Sequence, residues 1–389
     1  MRGVTIERAR RVRERFTDEE LERWRARCDP LADGALAAIR ESGERERDLL
    51  AACRRLAARD ERCAALLEAA RRPPGWSRPE EHGLAQRLFA RNGPWILLLG
   101  FPVLVDSYAG SRDNKVLVMS GRLAGRGAFD RLVETARFVE SVCASGALEV
   151  ERAGWRSILR VRLLHAWVRA LCRDAGHDAA RFGEPINQEA MCGTLMLFGH
   201  GLLTCLRRMG VEVTGAEAES WHALWRAAGW LLGVDPALLP ETYAEEVALY
   251  DRVKAHAYRP DADTRALFEA AVRDVTRGAS ERMPLWFKAL GGWSLASREF
   301  LEQLTVRCVD ESVWRYLGLA PRRRWSAFFG AGAVAQRRLS RATRRSVAIE
   351  RTSRAFMGML ARQLPPVLAG TRAPPRYDDP GFRELRAAS

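Results

Sequence analysis

Residues 160–210 constrain the fold most, because two strongly apolar helical patterns there flank a short polar turn. The patterns cover residues 155–172 and 191–209, with apolar residues recurring at intervals of three and four. The polar turn, PINQE, occupies residues 185–189. Two histidines, His165 and His200, fall inside the apolar patterns, where an imidazole is unusual unless it has a partner. The segment therefore predicts two buried helices that hold a polar site.

The same periodicity extends along most of the chain, and the alternation typical of a half-buried strand is almost absent. The sequence therefore predicts an all-α fold, a single large globin-like helical domain with an N-terminal helical extension. The proline-rich stretch RRPPGWSRPEE at 71–81 is the clearest boundary. We expect an N-terminal helical extension at 1–80, a main domain at 81–320, and a basic C-terminal helical segment and tail at 321–389.

The net charge of +14 comes from arginine, because only 3 of the 63 basic residues are lysines. That bias is typical of GC-rich bacterial coding and by itself says little about function. Residues 322–354 are locally unusual, with ten arginines against the single acid Glu350. Such a basic amphipathic element suits anionic lipid, nucleic acid or an acidic partner, and a solvated helix face explains it equally well. Specific nucleic-acid binding has only the net charge in its favour.

The eight cysteines form no CxxC pair and no regular framework, and most lie within helical patterns. Free cysteine in such places behaves as a small buried hydrophobe. Together with a charged N-terminus that has no apolar signal region, this favours a reducing cytoplasm. The longest apolar run, at 94–105, is far short of the roughly 20 residues that a spanning helix needs. We therefore expect at most peripheral membrane contact. We expect residues 95–110 to form a buried helical segment with a break near Gly100 and Pro102.

Arg162, His165 and Arg169 are spaced so that they share one face of the first helix. Two guanidinium groups beside an imidazole suit a bound oxygen species, a propionate or a substrate carbonyl, and their charge favours a neutral ring. These three residues are the candidate catalytic set. The alternative is that both arginines pair with carboxylates elsewhere in the chain and that His165 is a satisfied core histidine.

The PINQE turn places Asn187 where a helix N-cap is expected, followed by Gln188 and Glu189 in the first turn. Helix initiation is the plain explanation for this turn. These side chains can also orient a ligand histidine on the neighbouring helix. Both explanations can hold together. Other helix starts are indicated by Asp18 and by a capping-box pattern at Thr214.

His200 lies between Gly199 and Gly201 in the middle of the second helix. Each mid-helix glycine costs about 1 kcal/mol relative to alanine, so the pair needs a reason. Close approach of a flat ligand or of another backbone supplies one, and tight helix crossing is the alternative without a ligand. Met196 lies one turn earlier on the same face, and both Met and His are haem ligands. The pattern favours haem, with His200 as the metal ligand and Met196 or His165 as alternatives.

Several other chemistries lack their motifs. No GxGxxG, GxxxxGK[ST], HExxH or GxSxG pattern occurs, which argues against dinucleotide binding, P-loop chemistry, zinc proteolysis and serine hydrolysis. His222 and His256 are isolated in the sequence, and we expect them to be structural or exposed.

A series of segments then follows in the order and spacing of one known family: LLLGFPVLVDSYAG, SGRL with RLVETARFV, RVRLLHAWVR, GEPINQEAMCGTL, LRRMGVEVTGAEAESWHALWRAAGWLLGV and LLP. Through them the chain resembles the bacterial rubber oxygenases (latex-clearing proteins) and the fungal endoplasmic-reticulum oxygenase of mycophenolic acid biosynthesis. The resemblance covers about 90–240 and extends to about 310. It implies an all-α haem b protein that activates dioxygen and cleaves an isoprenoid carbon–carbon double bond.

The resemblance also implies roles for individual residues. Arg162 matches a distal arginine of the rubber oxygenases, whereas His165 and Ala166 stand where that family has a lysine and a threonine. This departure weakens the implication of polyisoprene cleavage. The family's proximal histidine falls near Met196, one turn before His200. Either His200 has replaced it, or Met196 or His165 is the ligand, or this branch has lost haem. Thr194 matches a polar position near that ligand. The residues implied for cofactor binding are thus His200, Met196, Thr194, Asn187 and Gln188.

The leading hypothesis is a haem-dependent oxygenase or other oxidoreductase that acts with dioxygen on a hydrophobic small molecule, isoprenoid in the resembled family. Arg162 and His165 would polarise dioxygen or donate protons to it. The second hypothesis is a non-catalytic helical protein that binds a lipid-like ligand, or an anionic membrane surface through residues 322–354.

Overall fold

The computed structural model describes residues 2–44, 46, 48–119, 127–282, 297–344 and 346–363. The SGRL segment at 120–123, residues 283–296 of the expected main domain, Arg345 and the expected C-terminal tail from residue 364 onward lie outside the described residues. In the described part, the first half of the chain forms these helices: α1 (Arg2–Arg15), α2 (Asp18–Arg25), α3 (Pro30–Glu41), α4 (Leu49–Leu56), α5 (Glu61–Arg71), α6 (Gly83–Ser107), α7 (Ser111–Met119), α8 (Gly127–Cys143) and α9 (Ala153–Asp174).

The second half continues with α10 (Ala179–Phe182), α11 (Gln188–Met196), a π-turn (Leu197–Gly201), α12 (Leu202–Arg208), α13 (Gly215–Leu231), α14 (Tyr243–Ala257), α15 (Ala262–Arg282), α16 (Arg298–Cys308), α17 (Glu311–Tyr316), α18 (Arg323–Thr343) and α19 (Val347–Gln363). Across the described residues there is no β-strand, only an isolated bridge between Gly110 and Tyr258. The all-α prediction is confirmed.

Side chains at helix starts explain several of these boundaries. The Asn187 side chain accepts a hydrogen bond from the Ala190 N–H at the start of α11, and Thr214 and Glu217 form a reciprocal capping box at the start of α13. Both predicted caps are confirmed. At α2 the N-cap is Thr17, one residue before the expected Asp18, because its hydroxyl accepts from the Glu20 N–H.

A single apolar cluster runs through the molecule and includes side chains from both sides of residue 80. Trp155, Trp221 and Trp225 are its largest buried members, and the indole N–H of Trp155 donates to the Ala70 carbonyl at the end of α5. Helix α3 packs against α9, and α1 packs against α14. The N-terminal helices thus share the core of the main body, and the three-part division of the chain stays a prediction.

Helix α6 is continuous from Gly83 to Ser107, with Pro94 and Pro102 inside it. The sequence predicted a break near Gly100 and Pro102, and this prediction is wrong, because the buried surroundings hold the segment helical despite the prolines. Within the described part, two helical segments are long and apolar enough to cross a membrane, 79–107 and 188–208. More than half of each is buried inside the protein, as expected for core helices of a folded domain.

Candidate functional site

On α9, the predicted catalytic arginine Arg162 is bound to a carboxylate from the N-terminal helices. Its Nε lies 2.6 Å and its Nη2 2.9 Å from the two carboxylate oxygens of Asp29, the N-cap residue of α3. Its Nη1 donates to the Leu231 carbonyl. Both partners of this ion pair are almost completely buried. This bidentate geometry is the strong form of an arginine–carboxylate interaction.

Arg169, two turns further along α9, is held in a similar way. Its Nε lies 2.8 Å from Asp33 on α3, and its Nη1 donates to the Ile186 carbonyl. The structure therefore confirms the alternative that both arginines pair with carboxylates elsewhere. A catalytic role for Arg162 and Arg169 stays a prediction. For Arg162 it has to compete with these contacts, whereas the buried Nη2 of Arg169 has no hydrogen-bond partner among the described residues.

His165 lies between the two arginines on α9 and is neutral. Burial, and to a smaller extent the charge of Arg169, lower the pKa of His165 to about 4. The expected neutral ring is confirmed, although burial contributes more than the arginine charge. Among the described residues its buried Nδ1 has no hydrogen-bond partner. The description of His165 as a satisfied core histidine therefore does not hold for this nitrogen.

The PINQE residues connect α11 to the loops around it. The Asn187 side chain caps α11 and also donates to the Glu184 carbonyl. Gln188 donates to the carbonyls of Cys28 and Gly233 and accepts from the Asp235 N–H. These contacts use the polar atoms of both side chains inside the protein. Their predicted role in cofactor binding stays a prediction, whereas their role in building the turn is directly visible.

Glu189 is the centre of a buried charge network that joins four helices. Its two carboxylate oxygens contact Arg25 of α2 and the Nδ1 of His256 on α14, at 2.6 and 2.5 Å. Arg25 also pairs with Asp113 of α7, and the Nε2 of His256 lies 3.0 Å from Glu22 of α2. The isolated histidine of the sequence, His256, is thus a buried structural link.

The His256 contacts predict a dependence of stability on pH. Hydrogen bonding to Glu189 is the largest cause that raises the pKa of His256 above its ordinary value of about 6.5. A raised folded-state pKa stabilises the protein fully below about pH 6.5, and this stabilisation is lost as the pH rises through the folded-state value. We expect His256→Gln to cost about 1–3 kcal/mol at pH 6 and clearly less at pH 9. Urea unfolding across this range tests it, and a pH-independent cost would contradict the assignment.

His200 lies in the π-turn, with each ring nitrogen next to a hydroxyl group. Its Nδ1 is 2.9 Å from the Tyr243 hydroxyl, and its Nε2 is 3.3 Å from the Thr204 hydroxyl. The Tyr250 ring meets the imidazole edge-on at 5.2 Å, and Arg207 donates to the Tyr243 oxygen. Burial lowers the pKa of His200, so the ring is neutral at physiological pH. A neutral imidazole is the form that binds metals.

The glycine at position 199, next to His200, is required by a contact that the sequence did not predict. A Cβ at Gly199 would overlap the Oε1 of Glu246 on α14, whereas a Cβ at Gly201 would make only ordinary contacts. The group that approaches Gly199 is therefore a carboxylate. The expectation of a flat ligand or another backbone at Gly199 is wrong, because a side chain from α14 occupies that space.

A cleft of about 310 Å³ opens beside His200. Its inner wall includes the buried residues Asp106, Gly201 and Cys205, and exposed side chains such as Arg208 surround its mouth. The full lining is formed by Pro102, Val103, Asp106, Leu197, His200, Gly201, Thr204, Cys205, Arg208, Tyr250, Asp251, Lys254, Cys308 and Asp310. The predicted α9 residues do not line it. His200 and His165 therefore do not share this cleft.

The other two residues predicted near the iron lie elsewhere on the same helix. Met196 is buried and borders a very small cavity with His222 and Trp225. Thr194 is exposed. Neither belongs to the lining of the cleft. Met196 as an alternative ligand and Thr194 as a cofactor contact stay predictions.

Sequence reasoning missed the face of α14 that contacts His200. Tyr243, Glu246 and Tyr250 are spaced i, i+3 and i+7 on α14, which places them on one helix face. That spacing is a signal, but nothing in it indicates which helix the face contacts. His222, expected to be structural or exposed, is buried with its Nδ1 2.5 Å from Glu246.

Comparison with known proteins places these features in a family. Residues 80–345 match the model of the ER-bound oxygenase mpaB/B'/Rubber oxygenase catalytic domain, which is more than half of the chain. The chain belongs to this family. The resemblance noted in the sequence is confirmed, and the matched segment includes α9, α11, the π-turn and α14.

A curated relative and a solved structure support the assignment. The rubber oxygenase of Streptomyces sp. (strain K30) is 25% identical over 256 residues, which is 61% of this chain and 61% of the relative. The chain thus matches less than two thirds of that relative's length. The latex clearing protein LCP in its closed state aligns with a TM-score of 0.63 and 18% identity, covering 85% of this chain and 90% of that one. The structural match shows the shared all-α fold.

Proposed function

We propose that this family member is a haem-dependent oxygenase acting with dioxygen on a hydrophobic, isoprenoid-type small molecule. Membership of an oxygenase catalytic-domain family supports the oxygenase part. The observation that carries the haem part is His200, a neutral imidazole that contacts Tyr243 through Nδ1 and lies at the wall of a cleft. Ligand histidines in proteins commonly have one ring nitrogen hydrogen-bonded to a second group, as Nδ1 is here, while the other nitrogen binds the metal.

The cleft offers one ligand atom to haem b. With the proton on Nδ1, the Nε2 of His200 carries the lone pair that would bind iron, and the hydrogen bond that it accepts from the Thr204 hydroxyl would have to break. The cations of the lining already have partners: Lys254 lies 3.6 Å from both Asp106 and Asp310, and Arg208 donates to the Cys308 and Val309 carbonyls. Haem propionates would have to compete for them with these contacts. Among the described residues, no group of three or more His, Cys, Asp or Glu side chains is arranged to hold a bare metal ion. A bound haem would supply the redox chemistry for dioxygen activation.

The proposed catalytic roles on α9 differ between His165 and the two arginines. His165, with a neutral ring and a buried free Nδ1, can accept or pass a proton. Arg162 and Arg169 are engaged by Asp29 and Asp33, so in the described arrangement they hold α9 in place and contribute positive charge near His165. A direct contact of Arg162 with substrate would compete with Asp29, whereas Arg169 keeps a buried Nη2 that has no partner among the described residues.

An absorption spectrum of the purified full-length chain tests the proposal. After expression with added haem precursor, we expect a Soret band and a stoichiometric haem content. A folded but colourless protein that also fails to take up haem in titration would overturn it. Localisation in a reducing cytoplasm is part of the proposal, supported by the eight cysteines being free, seven of them buried.

The basic C-terminal region supports a second candidate function, contact with an anionic membrane surface. Phe328, Val334, Leu339 and Val347 on α18 and α19 are all more than half exposed. Large apolar side chains at such exposure are otherwise rare among the described residues. Basic side chains surround them along the same helices. A helix that exposes both apolar and cationic groups matches the surface of an anionic bilayer.

The membrane proposal predicts salt-dependent binding to vesicles that contain phosphatidylserine. Arg337 and Arg338 are exposed, and within the described part they form no ion pair. Each arginine near such a surface contributes about 1 kcal/mol, so replacing both with Gln should weaken binding about thirtyfold. The matched control replaces Arg10 and Arg11 on α1, which are exposed but pair with Glu7. Equal binding to neutral and anionic vesicles would count against this contact.

A further inference from the structure

The main-chain N–H of His200 donates a hydrogen bond to a side chain on another helix. In the π-turn it donates to the Oε1 of Glu246 on α14, at 2.7 Å. Glu246 is buried, and a buried carboxylate is costly unless it is hydrogen-bonded. A hydrogen bond from an N–H to a carboxylate is among the stronger ones in proteins. The π-turn at His200 thus coincides with the contact to Glu246, and π-turns occur often at functional sites.

The second oxygen of Glu246 is fixed from another helix. Its Oε2 lies 2.5 Å from the Nδ1 of His222 on α13, and the Nε2 of His222 lies 3.1 Å from the Pro240 carbonyl. Because a carbonyl only accepts, this Nε2 carries a proton. A continuous chain of hydrogen bonds thus runs from Pro240 through His222 and Glu246 to the His200 backbone.

Gly199 makes this chain possible. A Cβ at this position would overlap the carboxylate oxygen that accepts from His200. The other contacts come from the same face of α14, where Tyr243 meets the ring at Nδ1 and Tyr250 meets its side. One helix face therefore holds His200 at its backbone, at one ring nitrogen and at its ring edge.

We propose that Glu246, anchored by His222, is a positioning residue that sets the orientation of His200 toward the cleft. Glu246 contacts His200 through the main-chain N–H and is not one of the residues that line the cleft. The part of this proposal that concerns iron binding by His200 rests on the proposed function. The hydrogen-bond chain itself exists in the protein without a cofactor.

Two matched glycine variants test the proposal in the haem-loaded protein. Gly199→Ala should push the carboxylate away, shift the Soret maximum and the ferric/ferrous midpoint potential, and weaken haem binding about 10–100-fold. Gly215→Ala, at the start of α13 where a Cβ meets open space, should leave all three unchanged. A merely structural role for Gly199 would lower thermal stability without changing the spectrum of the folded fraction.

Two substitutions of Glu246 test the same hydrogen bond at its acceptor. They remain informative if Gly199→Ala fails to fold. Glu246→Gln keeps an oxygen that can accept from the His200 N–H, so we expect a spectrum close to the original. Glu246→Leu removes the acceptor and should reproduce the shift of Gly199→Ala. If Glu246→Leu retains both the original spectrum and the original haem affinity, the proposal is overturned.

A measurement without haem separates this proposal from the proposed function. In the ¹⁵N-labelled protein without cofactor, the His200 amide should exchange slowly with solvent and should lose that protection in Glu246→Leu. A colourless wild-type protein with a protected His200 amide would overturn the haem assignment and leave the positioning role supported. An amide that exchanges equally fast in both proteins would overturn the positioning role.

Discussion

Replacing His200 with alanine should abolish stable haem binding while the protein remains folded. His200 is the neutral imidazole at the cleft wall, and the substitution removes the proposed iron ligand itself. Loss of a residue that only supports a ligand typically costs about 10–100-fold in affinity, so loss of the ligand should cost more. The expected result is a missing Soret band and no haem retained through gel filtration.

The control for this experiment is Met196→Leu, which keeps an apolar side chain of similar volume at the position suggested by the family register. Met196 is buried away from the cleft, so this variant should bind haem like the original. His165→Ala should likewise keep its haem if His165 has only a helper role. Haem binding retained in His200→Ala and lost in Met196→Leu would transfer the ligand assignment to Met196.

Removing the charge of Asp29 should be the most destabilising of the expected changes. Asp29→Asn leaves the Arg162 guanidinium buried without a counter-charge, which costs about 3–5 kcal/mol. Asparagine can still cap α3, so the loss reports on the ion pair and not on the cap. The free energy of unfolding from urea titration measures it.

The matched control is Asp174→Asn, which removes an acid from an ion pair with Arg40 at the surface. Exposed pairs contribute less than about 1 kcal/mol, so this variant should stay close to the original. Adding Arg162→Met to Asp29→Asn should recover part of the loss, because the unpaired charge is then gone. A cost for Asp29→Asn no larger than the control would show that Arg162 reaches another partner or water.

The parts of the fold that depend on local sequence were predictable. The apolar periodicity indicates an all-α protein, and the caps at Asn187 and Thr214 depend on contacts three residues away. The break expected in α6 shows the limit of local rules. Tertiary burial keeps α6 helical through Pro102, where an isolated helix would be disrupted.

The site was only partly predictable, because its decisive contacts join distant parts of the chain. Asp29 and Arg162 are 133 residues apart, and Glu246 is 46 residues from His200. The sequence marks His200 and its glycines as unusual, yet the reason for Gly199 is a carboxylate on a helix not related to it by any local pattern. Spacing identifies which residues share a helix face, and packing decides what that face meets.

The carboxylates that hold the α9 arginines have a consequence for reading related sequences. Asp29 and Asp33 lie before residue 80, outside the segment that defines the family, whereas Arg162 and Arg169 lie inside it. An alignment confined to that segment therefore shows two cations without their counter-charges. Such an alignment suggests that the two arginines bind an anionic ligand, although acids at an upstream helix already pair with them. In relatives, the presence of acids at the positions of Asp29 and Asp33 is the feature that separates a structural arginine from one available for chemistry.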